Sequence, residues 1–228
     1  MDPPSTTKLI PFDDTYVLYN PDDILSFLSC YLTLLPVFIL VFYLSWFIVT
    51  RELEACILAG GHVLNDILNN IIKNIVKQPR PHNLLHDSFQ TNTILRSGYG
   101  MPSAHSQFMG FLSMYLILKL YCYWDTPKLN KIIGSITIVI TSLLVAASRV
   151  YLQYHSIEQV LMGLVLGASL ASFYFIVVSI LREWGITNWL LTWTICQRLW
   201  IKDSCYYKSQ NLQTEYTLWK QRCKVKID

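Results

Sequence analysis

The 228-residue sequence predicts an all-α integral membrane protein, a bundle of about five transmembrane helices with a further helix at the membrane interface. Two observations carry this prediction. Hydrophobic residues make up 53% of the chain and charged residues only 14%, whereas soluble domains carry about 25% charged residues. The hydrophobic residues are also gathered into long runs, and roughly 20 apolar residues in a helix cross the hydrocarbon core of a bilayer.

Five runs are assigned as spanning helices. The first has no formal charge, the second is studded with polar residues, and the third carries one charge, Lys119, near its end. The fourth is short and uncharged, with an extension of a few residues left open, and the fifth is rich in Gly, Ala and Ser, which suits close helix packing in lipid. In chain order the runs cover residues 27–49, Leu53–Val76, 106–124, 132–147 and 157–181. A sixth stretch, 186–201, is interrupted by Trp and Arg and is predicted to lie in the membrane interface.

One membrane-embedded domain, residues 27–181, therefore lies between an N-terminal tail, 1–26, and a C-terminal tail, 182–228. The Lys and Arg residues predict its orientation, since eleven fall on the side of the C-terminal tail and six on the other. The C-terminus is expected in the cytosol. The net charge of +3 is too small to indicate a nucleic-acid partner, and the six cysteines, without a C-x-x-C pair, are expected to be free thiols.

Three polar segments fall on the predicted extracytosolic face. They are KNIVKQPRP at 73–81, which closes the second helix, PSAH at 102–105, which opens the third, and SR at 148–149 followed by His155, which joins the fourth to the fifth. Although they are far apart in the sequence, these segments are expected at one membrane depth on one side of the bilayer.

The basic residues in these segments suit the binding of a phosphate. Lys73, Arg80 and Arg149 supply three fixed cations, and the planar fork of Arg matches two phosphate oxygens at once. Ser103 stands where a helix is expected to begin, so its hydroxyl and the next backbone N–H groups can bind an anion.

Two histidines complete the set. Of His105 and His155, one can attack phosphorus and the other can protonate the leaving oxygen. Together the segments predict a phosphoryl-transfer site that needs no metal, because no cluster of Asp, Glu and His with ligand spacing lies near them in the sequence.

In order and spacing, K-x6-R-P, P-S-A-H and S-R-x5-H resemble the three-part signature of the type 2 phosphatidic acid phosphatase (PAP2) superfamily of integral-membrane lipid phosphatases. Longer stretches, among them IPFDDTYVLY, NNIIKNIVKQPRP and SRVYLQYH, resemble its dolichyl diphosphatase branch. The resemblance implies hydrolysis of a polyprenyl diphosphate, dolichyl diphosphate, to dolichyl phosphate and phosphate without a cofactor. It places this reaction at the lumenal face of the endoplasmic reticulum, among membrane lipids, where it recycles the carrier lipid of protein N-glycosylation.

The resemblance also implies a role for each matching residue. His155 would be the nucleophile that forms a phosphohistidine. His105 would be the general acid for the leaving group and then the base for water. The phosphate oxygens would be held by Lys73, Arg80, Ser103, Ala104 through its N–H, and Arg149.

Two positions depart from the family pattern. The family usually writes P-S-G-H, but the third residue here is Ala104, whose N–H is retained. The family also usually has an Asp four residues after the nucleophilic His, where this chain has Gln159 with Glu158 beside it. Gln159 can accept a hydrogen bond but cannot stabilise an imidazolium as a carboxylate does. Whether Gln159 or Glu158 orients His155 stays open.

Structural interpretations stand beside these functional ones. Ser103 could be only a helix N-cap, and the Ser156-x-x-Gln159 pattern could be a capping box instead of, or together with, an orienting role for Gln159. Arg80 could be a solvated loop charge. Taken together in the family's order, these residues favour the functional interpretation.

The second helix carries a polar stripe of His62, Asp66, Asn69 and Lys73, spaced by 4, 3 and 4 residues. Polar groups at membrane depth usually face a bundle interior or a water-filled cavity. The stripe could therefore line a substrate cavity that ends at Lys73, or form hydrogen bonds between helices. The structural interpretation is favoured for His62 and Asp66.

Two rival functions stay open. One is a broader lipid phosphatase that acts on phosphatidate or sphingoid phosphates, and the other is a non-enzymatic lipid transporter or scaffold. The last five residues, KVKID, resemble a cytosolic dilysine retrieval signal of endoplasmic-reticulum membrane proteins. Protein partners are not indicated by the sequence.

Overall fold

The computed structural model describes residues 17, 19, 20, 22–81, 98–205 and 212–224. These residues form five long helices and three shorter ones, and no strand occurs in the described part of the chain. The helices are α1 (Ile24–Thr50), α2 (Leu53–Val76), α3 (Ala104–Cys122), α4 (Lys128–Tyr151), α5 (Ile157–Glu183), α6 (Ile186–Leu191), α7 (Thr194–Arg198) and α8 (Leu212–Lys224). The predicted all-α fold is confirmed. Most of the N-terminal tail, the 84–94 loop and the last four residues lie outside the described ranges.

Four of the long helices, α1, α2, α4 and α5, are long and apolar enough to cross a membrane. Helix α3 is shorter, with 19 residues, and its buried side chains include Gln107 and Lys119. It lies at the centre of the bundle, in contact with the other four long helices. Because these neighbours shield α3 from lipid, it tolerates polar residues that a lipid-facing helix excludes.

Helices α3 and α5 approach each other through glycines. A Cβ added at Gly167, Gly110 or Gly163 would stand 2.1, 2.4 or 2.7 Å from a carbonyl oxygen of the facing segment. Such distances exclude any side chain, so the two backbones are in direct contact. The close packing predicted for the Gly-rich fifth helix is confirmed.

Apolar side chains of all five long helices surround this contact and form the core. Its buried members are Tyr43, Leu58, Met109, Phe111, Leu112, Tyr115, Val145, Ala171 and Phe175. Lipid tails are as apolar as these side chains, so van der Waals packing between the helices holds this core together. The five cysteines whose side chains are described are free thiols, as predicted.

Several helix boundaries differ from the prediction, since α1 begins at Ile24 instead of residue 27 and α3 at Ala104 instead of residue 106. Helix α4 was expected over 132–147 with an extension of a few residues left open, and it runs from Lys128 to Tyr151 because the helical backbone continues where hydropathy falls. The apolar stretch 186–201 divides into α6 and α7, which are separated at Thr192 and Trp193. Its placement at the membrane interface stays a prediction.

The chain beyond α7 returns to the start of α2. Backbone hydrogen bonds join Leu53 N–H to the Lys202 carbonyl (2.8 Å) and Lys202 N–H to the Arg51 carbonyl (3.0 Å). Beneath them lies a buried group of charges that we call the basal ion cluster, formed by Glu54, Lys119, Arg182 and Asp203.

The basal ion cluster is fully paired. The Glu54 carboxylate bridges Lys119 and Arg182, with its Oε2 2.6 Å from Arg182 Nη2, and it also accepts a hydrogen bond from Tyr115 Oη at 2.9 Å. Arg182 Nε contacts Asp203 Oδ2 at 2.9 Å. The cluster fastens the segment after α7 to α2, α3 and α5 at this end of the bundle.

Candidate active site

The three polar segments meet at the end of the bundle opposite the basal ion cluster. Lys73 lies in the last turn of α2, and Arg149 lies in the last turn of α4. Ser103 is the residue at which α3 begins, and His155 lies just before α5. Because α2 and α4 end where α3 and α5 begin, the bundle brings together residues that are about 80 positions apart.

The His155 ring is held in one orientation. The ring is 4% exposed, and its Nδ1 lies 2.9 Å from the Gly100 carbonyl oxygen and 3.3 Å from Gln159 Oε1. Both neighbours are acceptors, so Nδ1 carries the proton and donates, which leaves the lone pair on Nε2. Burial, followed by the charges of Arg149 and Arg80, lowers the pKa of His155 to about 3. The imidazole is therefore neutral at physiological pH, with an unprotonated Nε2.

The Gln159 side chain joins two of the three segments. Its Nε2 donates to the Pro79 carbonyl at 2.9 Å, which turns its Oε1 toward His155. The same Oε1 accepts from Ser156 N–H while Gln159 N–H donates to Ser156 Oγ, so the predicted capping box is present. One residue thus caps α5 and contacts the His155 ring at the same time. Glu158 is exposed, and among the described contacts of the ring its carboxylate does not occur.

Ser103 is buried at the start of α3 but does not act as a side-chain cap. Its hydroxyl accepts a hydrogen bond from Ser106 Oγ at 3.0 Å, and its own N–H donates to the Gln159 carbonyl at 3.0 Å. The first N–H groups of α3, beginning at Ala104, are therefore not occupied by the Ser103 side chain, and the positive end of the helix dipole points into the site.

The Arg149 guanidinium is buried and oriented by two neighbours. Its Cζ lies 4.3 Å from the centroid of the Tyr154 ring, a cation–π arrangement. Its Nη1 lies 3.5 Å from Thr33 Oγ1 on α1. Sequence reasoning did not single out Thr33, since a lone threonine in an apolar run carries no pattern.

His105 lies in the first turn of α3 and is partly exposed. Its ring approaches the backbone carbonyl of Thr33, and it lies within electrostatic range of Arg149, His155 and Lys73. His155 in turn lies within range of Arg149, Arg80 and Lys73. Arg149 and Lys73 therefore act on both histidines, whereas Arg80 acts on His155.

A cleft of about 400 Å³ opens between the first polar segment and the start of α5. Arg80, Glu158 and Gln159 are among its lining residues. Glu158 thus faces the cleft, although it does not contact the His155 ring.

The polar stripe of α2 is not uniform. His62 and Asn69 are buried and form hydrogen bonds to other helices, His62 Nε2 to Tyr43 Oη at 3.2 Å and Asn69 Nδ2 to Gln107 Oε1 at 2.7 Å. Asp66 is exposed and accepts a hydrogen bond from Asn70 on its own helix. The interhelical interpretation holds for His62, whereas Asp66 bonds within α2.

The sequence profile of the PAP2 superfamily matches residues 54–183 of this chain. This range contains all three polar segments. This chain belongs to the PAP2 superfamily.

Curated relatives share most of the chain. It is 52% identical to Dolichyldiphosphatase from Saccharomyces cerevisiae over 94% of this chain and 90% of that protein. It is 32% identical to Dolichyldiphosphatase 1 from Mus musculus (91% and 87% covered) and 37% identical to Dolichyldiphosphatase 1 from Homo sapiens (73% and 70% covered). A transmembrane PAP2 type phosphatidylglycerolphosphate phosphatase from Bacillus subtilis superimposes with a TM-score of 0.49 at 22% identity, over 66% of this chain and 71% of that one.

Proposed function

We propose that this chain hydrolyses dolichyl diphosphate to dolichyl phosphate and phosphate. The names of its relatives support this substrate, and the extent of the match to the yeast protein supports it most. The observation that carries the chemistry is the state of His155, a buried neutral imidazole whose Nδ1 proton is held by the Gly100 carbonyl. Arg149, Arg80 and Lys73 surround it with positive charge.

In the first proposed step, His155 Nε2 attacks the terminal phosphorus of dolichyl diphosphate. A P–N bond forms, and the bond from that phosphorus to the bridging oxygen breaks. His105 gives a proton to the bridging oxygen, and dolichyl phosphate leaves. The Nδ1 hydrogen bond to the Gly100 carbonyl stabilises the positive charge that develops on the ring.

In the second step, His105 takes a proton from a water molecule, whose oxygen attacks the phosphohistidine. The P–N bond breaks, phosphate is released, and His155 returns to its neutral form. Because the same histidine acts as acid and then as base, its two protonation states alternate and no other proton carrier is needed.

The phosphate oxygens are proposed to lie among Lys73, Arg80, Arg149, the Ser103 hydroxyl and the Ala104 N–H. Two of these groups are held in place by their neighbours, Arg149 by the Tyr154 ring and Ser103 by its hydrogen bonds. Preorganised donors of this kind stabilise a transition state by about 3–4 kcal/mol each.

Gln159 is proposed to replace the family's usual Asp as the residue that orients His155. Its Oε1 lies beside Nδ1 and its Nε2 is fixed by Pro79. An amide oxygen holds the proton on Nδ1 without adding negative charge, so the ring stays a neutral nucleophile.

The site is proposed to face the lumen of the endoplasmic reticulum, with the C-terminus in the cytosol and the dolichyl phosphate product recycled for protein N-glycosylation. The positions of basic residues support this orientation, since Arg182, Arg198 and Lys202 lie at the end that carries the chain beyond α5. Glycosylation acceptor sites added at each terminus test it: modification at the C-terminus instead of the N-terminus contradicts the proposal.

The decisive experiment measures phosphate release from dolichyl diphosphate in proteoliposomes, with a chelator present. We expect wild-type protein to be active and His155→Ala to lose at least about 1,000-fold in rate, with His105→Ala also impaired. Thermal unfolding of each variant confirms that it is folded. Unchanged release by His155→Ala contradicts the catalytic role and favours the transporter or scaffold. A preference for phosphatidate or sphingoid phosphates in the same assay contradicts the dolichyl assignment.

A further inference from the structure

A hydrogen-bond network of three amide side chains, the amide network, lies beneath the turn formed by Pro102 and Ser103. Asn69 Nδ2 donates to the Pro102 carbonyl at 3.3 Å and to Gln107 Oε1 at 2.7 Å. Gln107 Nε2 donates to the carbonyl and the side-chain oxygen of Asn65, at 3.0 and 2.9 Å. None of the three amides is more than 2% exposed.

The direction of every bond in the amide network is fixed by its ends. Backbone carbonyls, those of Pro102 and Asn65, can only accept hydrogen bonds. An amide nitrogen must therefore face each of them, and the Asn69 and Gln107 side chains have only one consistent orientation. Since the network is buried, losing a donor leaves acceptors without partners in a low-dielectric interior, which is costly.

The amide network ties the start of α3 to the helix that carries Lys73. Asn69 precedes Lys73 by four residues, so both side chains project from the same face of α2. On its other side, the turn is held to α5 by the hydrogen bond from Ser103 N–H to the Gln159 carbonyl. The contact through Asn69 thus fixes where the first N–H groups of α3 stand relative to the Lys73 ammonium.

We propose that Asn69 is a positioning residue for the phosphate site. Its amide holds the Pro102 carbonyl, so that the N-terminus of α3 and Lys73 converge on the same phosphate oxygens. Asn69 is too deeply buried to touch the substrate and acts through the turn. The inference rests on the proposed phosphatase function. It adds to that function Asn69, a residue outside the three polar segments that carry the family signature.

The test compares neighbouring asparagines on α2. Asn69→Ala removes both donors, and we expect kcat for phosphate release to fall about 100-fold, the typical cost of misplacing a reacting group by about 1 Å. KM for the lipid stays nearly unchanged, because the tail contacts are intact. Asn70→Ala is the control, since Asn70 is exposed and the hydrogen bonds of its side chain in the described structure are to Asp66, within α2. We expect wild-type kinetics for the control.

Orthovanadate serves as a second probe, because it mimics phosphate and needs no lipid. We expect it to protect wild type and Asn70→Ala from thermal unfolding, and to protect Asn69→Ala much less. Should Asn69→Ala fail to fold, Asn69→Ser, which is small and too short to reach the Pro102 carbonyl, is measured in the same way.

The outcomes separate the two proposals. A wild-type kcat per folded molecule in the Asn69 variant overturns the positioning role, even if that variant is less stable. If wild type does not hydrolyse dolichyl diphosphate, the proposed substrate is wrong, and the vanadate comparison still decides the role of Asn69. Equal protection of the Asn69 and Asn70 variants then overturns it.

Discussion

Both ends of the helical bundle contain a buried arginine, Arg182 at one end and Arg149 at the other, and the two lie in different surroundings. At the basal ion cluster, Lys119 and Arg182 converge on the carboxylate of Glu54. At the other end, burial, followed by the charges of Arg149 and Arg80, depresses the pKa of His155 and keeps its ring neutral. The first arrangement satisfies its own charge and holds helices together. The second places Arg149 and Arg80 near a buried neutral imidazole, at the place where we propose that phosphate binds. Burial of a cation is therefore not enough to indicate a binding site. The charges of the groups around the cation must be considered as well.

The largest expected difference between the two ends is in activity. Arg149→Ala should lower the rate of phosphate release per folded molecule by about 100- to 1,000-fold, because a fixed donor to the transition state is lost. Arg149→Lys keeps the charge without the planar fork and should fall between wild type and Arg149→Ala. Initial rates in proteoliposomes measure both. A rate for Arg149→Ala within twofold of wild type places the guanidinium outside the reaction.

The basal ion cluster should instead affect stability. Glu54→Gln leaves Lys119 and Arg182 without their shared carboxylate, and breaking a buried ion pair in this way typically costs 3–5 kcal/mol, so we expect a loss of about 3–5 kcal/mol in the free energy of unfolding. The turnover of the folded fraction should not change. Denaturant-induced unfolding in detergent micelles, with activity measured beside it, checks both expectations.

The matched control at the same end is Lys202→Ala. Lys202 Nζ lies 3.4 Å from Glu52 Oε1, and its side chain is 60% exposed. Exposed pairs contribute only about 0–1 kcal/mol, so this variant should unfold like wild type. Equal destabilisation by Glu54→Gln and Lys202→Ala would show that burial does not distinguish the two pairs.

A smaller effect on activity is expected when a carboxylate is placed beside His155, as Glu54 lies beside basic side chains in the basal ion cluster. Gln159→Glu puts a carboxylate beside Nδ1 and stabilises the imidazolium, so the pKa of His155 rises from about 3. A protonated Nε2 cannot attack phosphorus. Activity at acidic pH should therefore fall, with the acidic limb of the rate profile moved up by about one to three pH units.

Glu158→Gln is the control for that change, since Glu158 is exposed and its carboxylate does not contact the ring in the described structure. Its pH profile should match that of wild type. A shift of the acidic limb in Glu158→Gln, with none in Gln159→Glu, would assign the orienting role to Glu158 instead.

Local pattern predicted the fold well, and it predicted which segments meet. Helix α2 was predicted as Leu53–Val76 and is found there, because apolar periodicity and a basic boundary coincide. The three polar segments were predicted to share one end because successive spanning helices run in opposite directions, so that the loops between them alternate between the two faces of the bilayer. The order of the apolar runs in the sequence is enough to predict this alternation. Helix ends inside the site were less predictable, since α4 continues through Arg149 in spite of its charge.

Pairings between distant residues could not be predicted in the same way. Glu54 and Arg182 are 128 positions apart, and no periodicity links them, although each is a charged residue near the end of an apolar run. The Gly100 carbonyl that holds His155 is a backbone group, and its position depends on the tertiary fold alone. Asn69 was noticed as part of a stripe, but its bond to the Pro102 carbonyl required coordinates.

The glycine contact between α3 and α5 affects which residues of this protein can change during evolution. His105 and His155 sit at the starts of two helices whose main chains touch at Gly110, Gly163 and Gly167. The distance between the two imidazoles is therefore set by backbone geometry and depends little on side chains at the outer surface. Residues that meet lipid can be exchanged to suit bilayers of other thickness or sterol content, while the two histidines keep their separation.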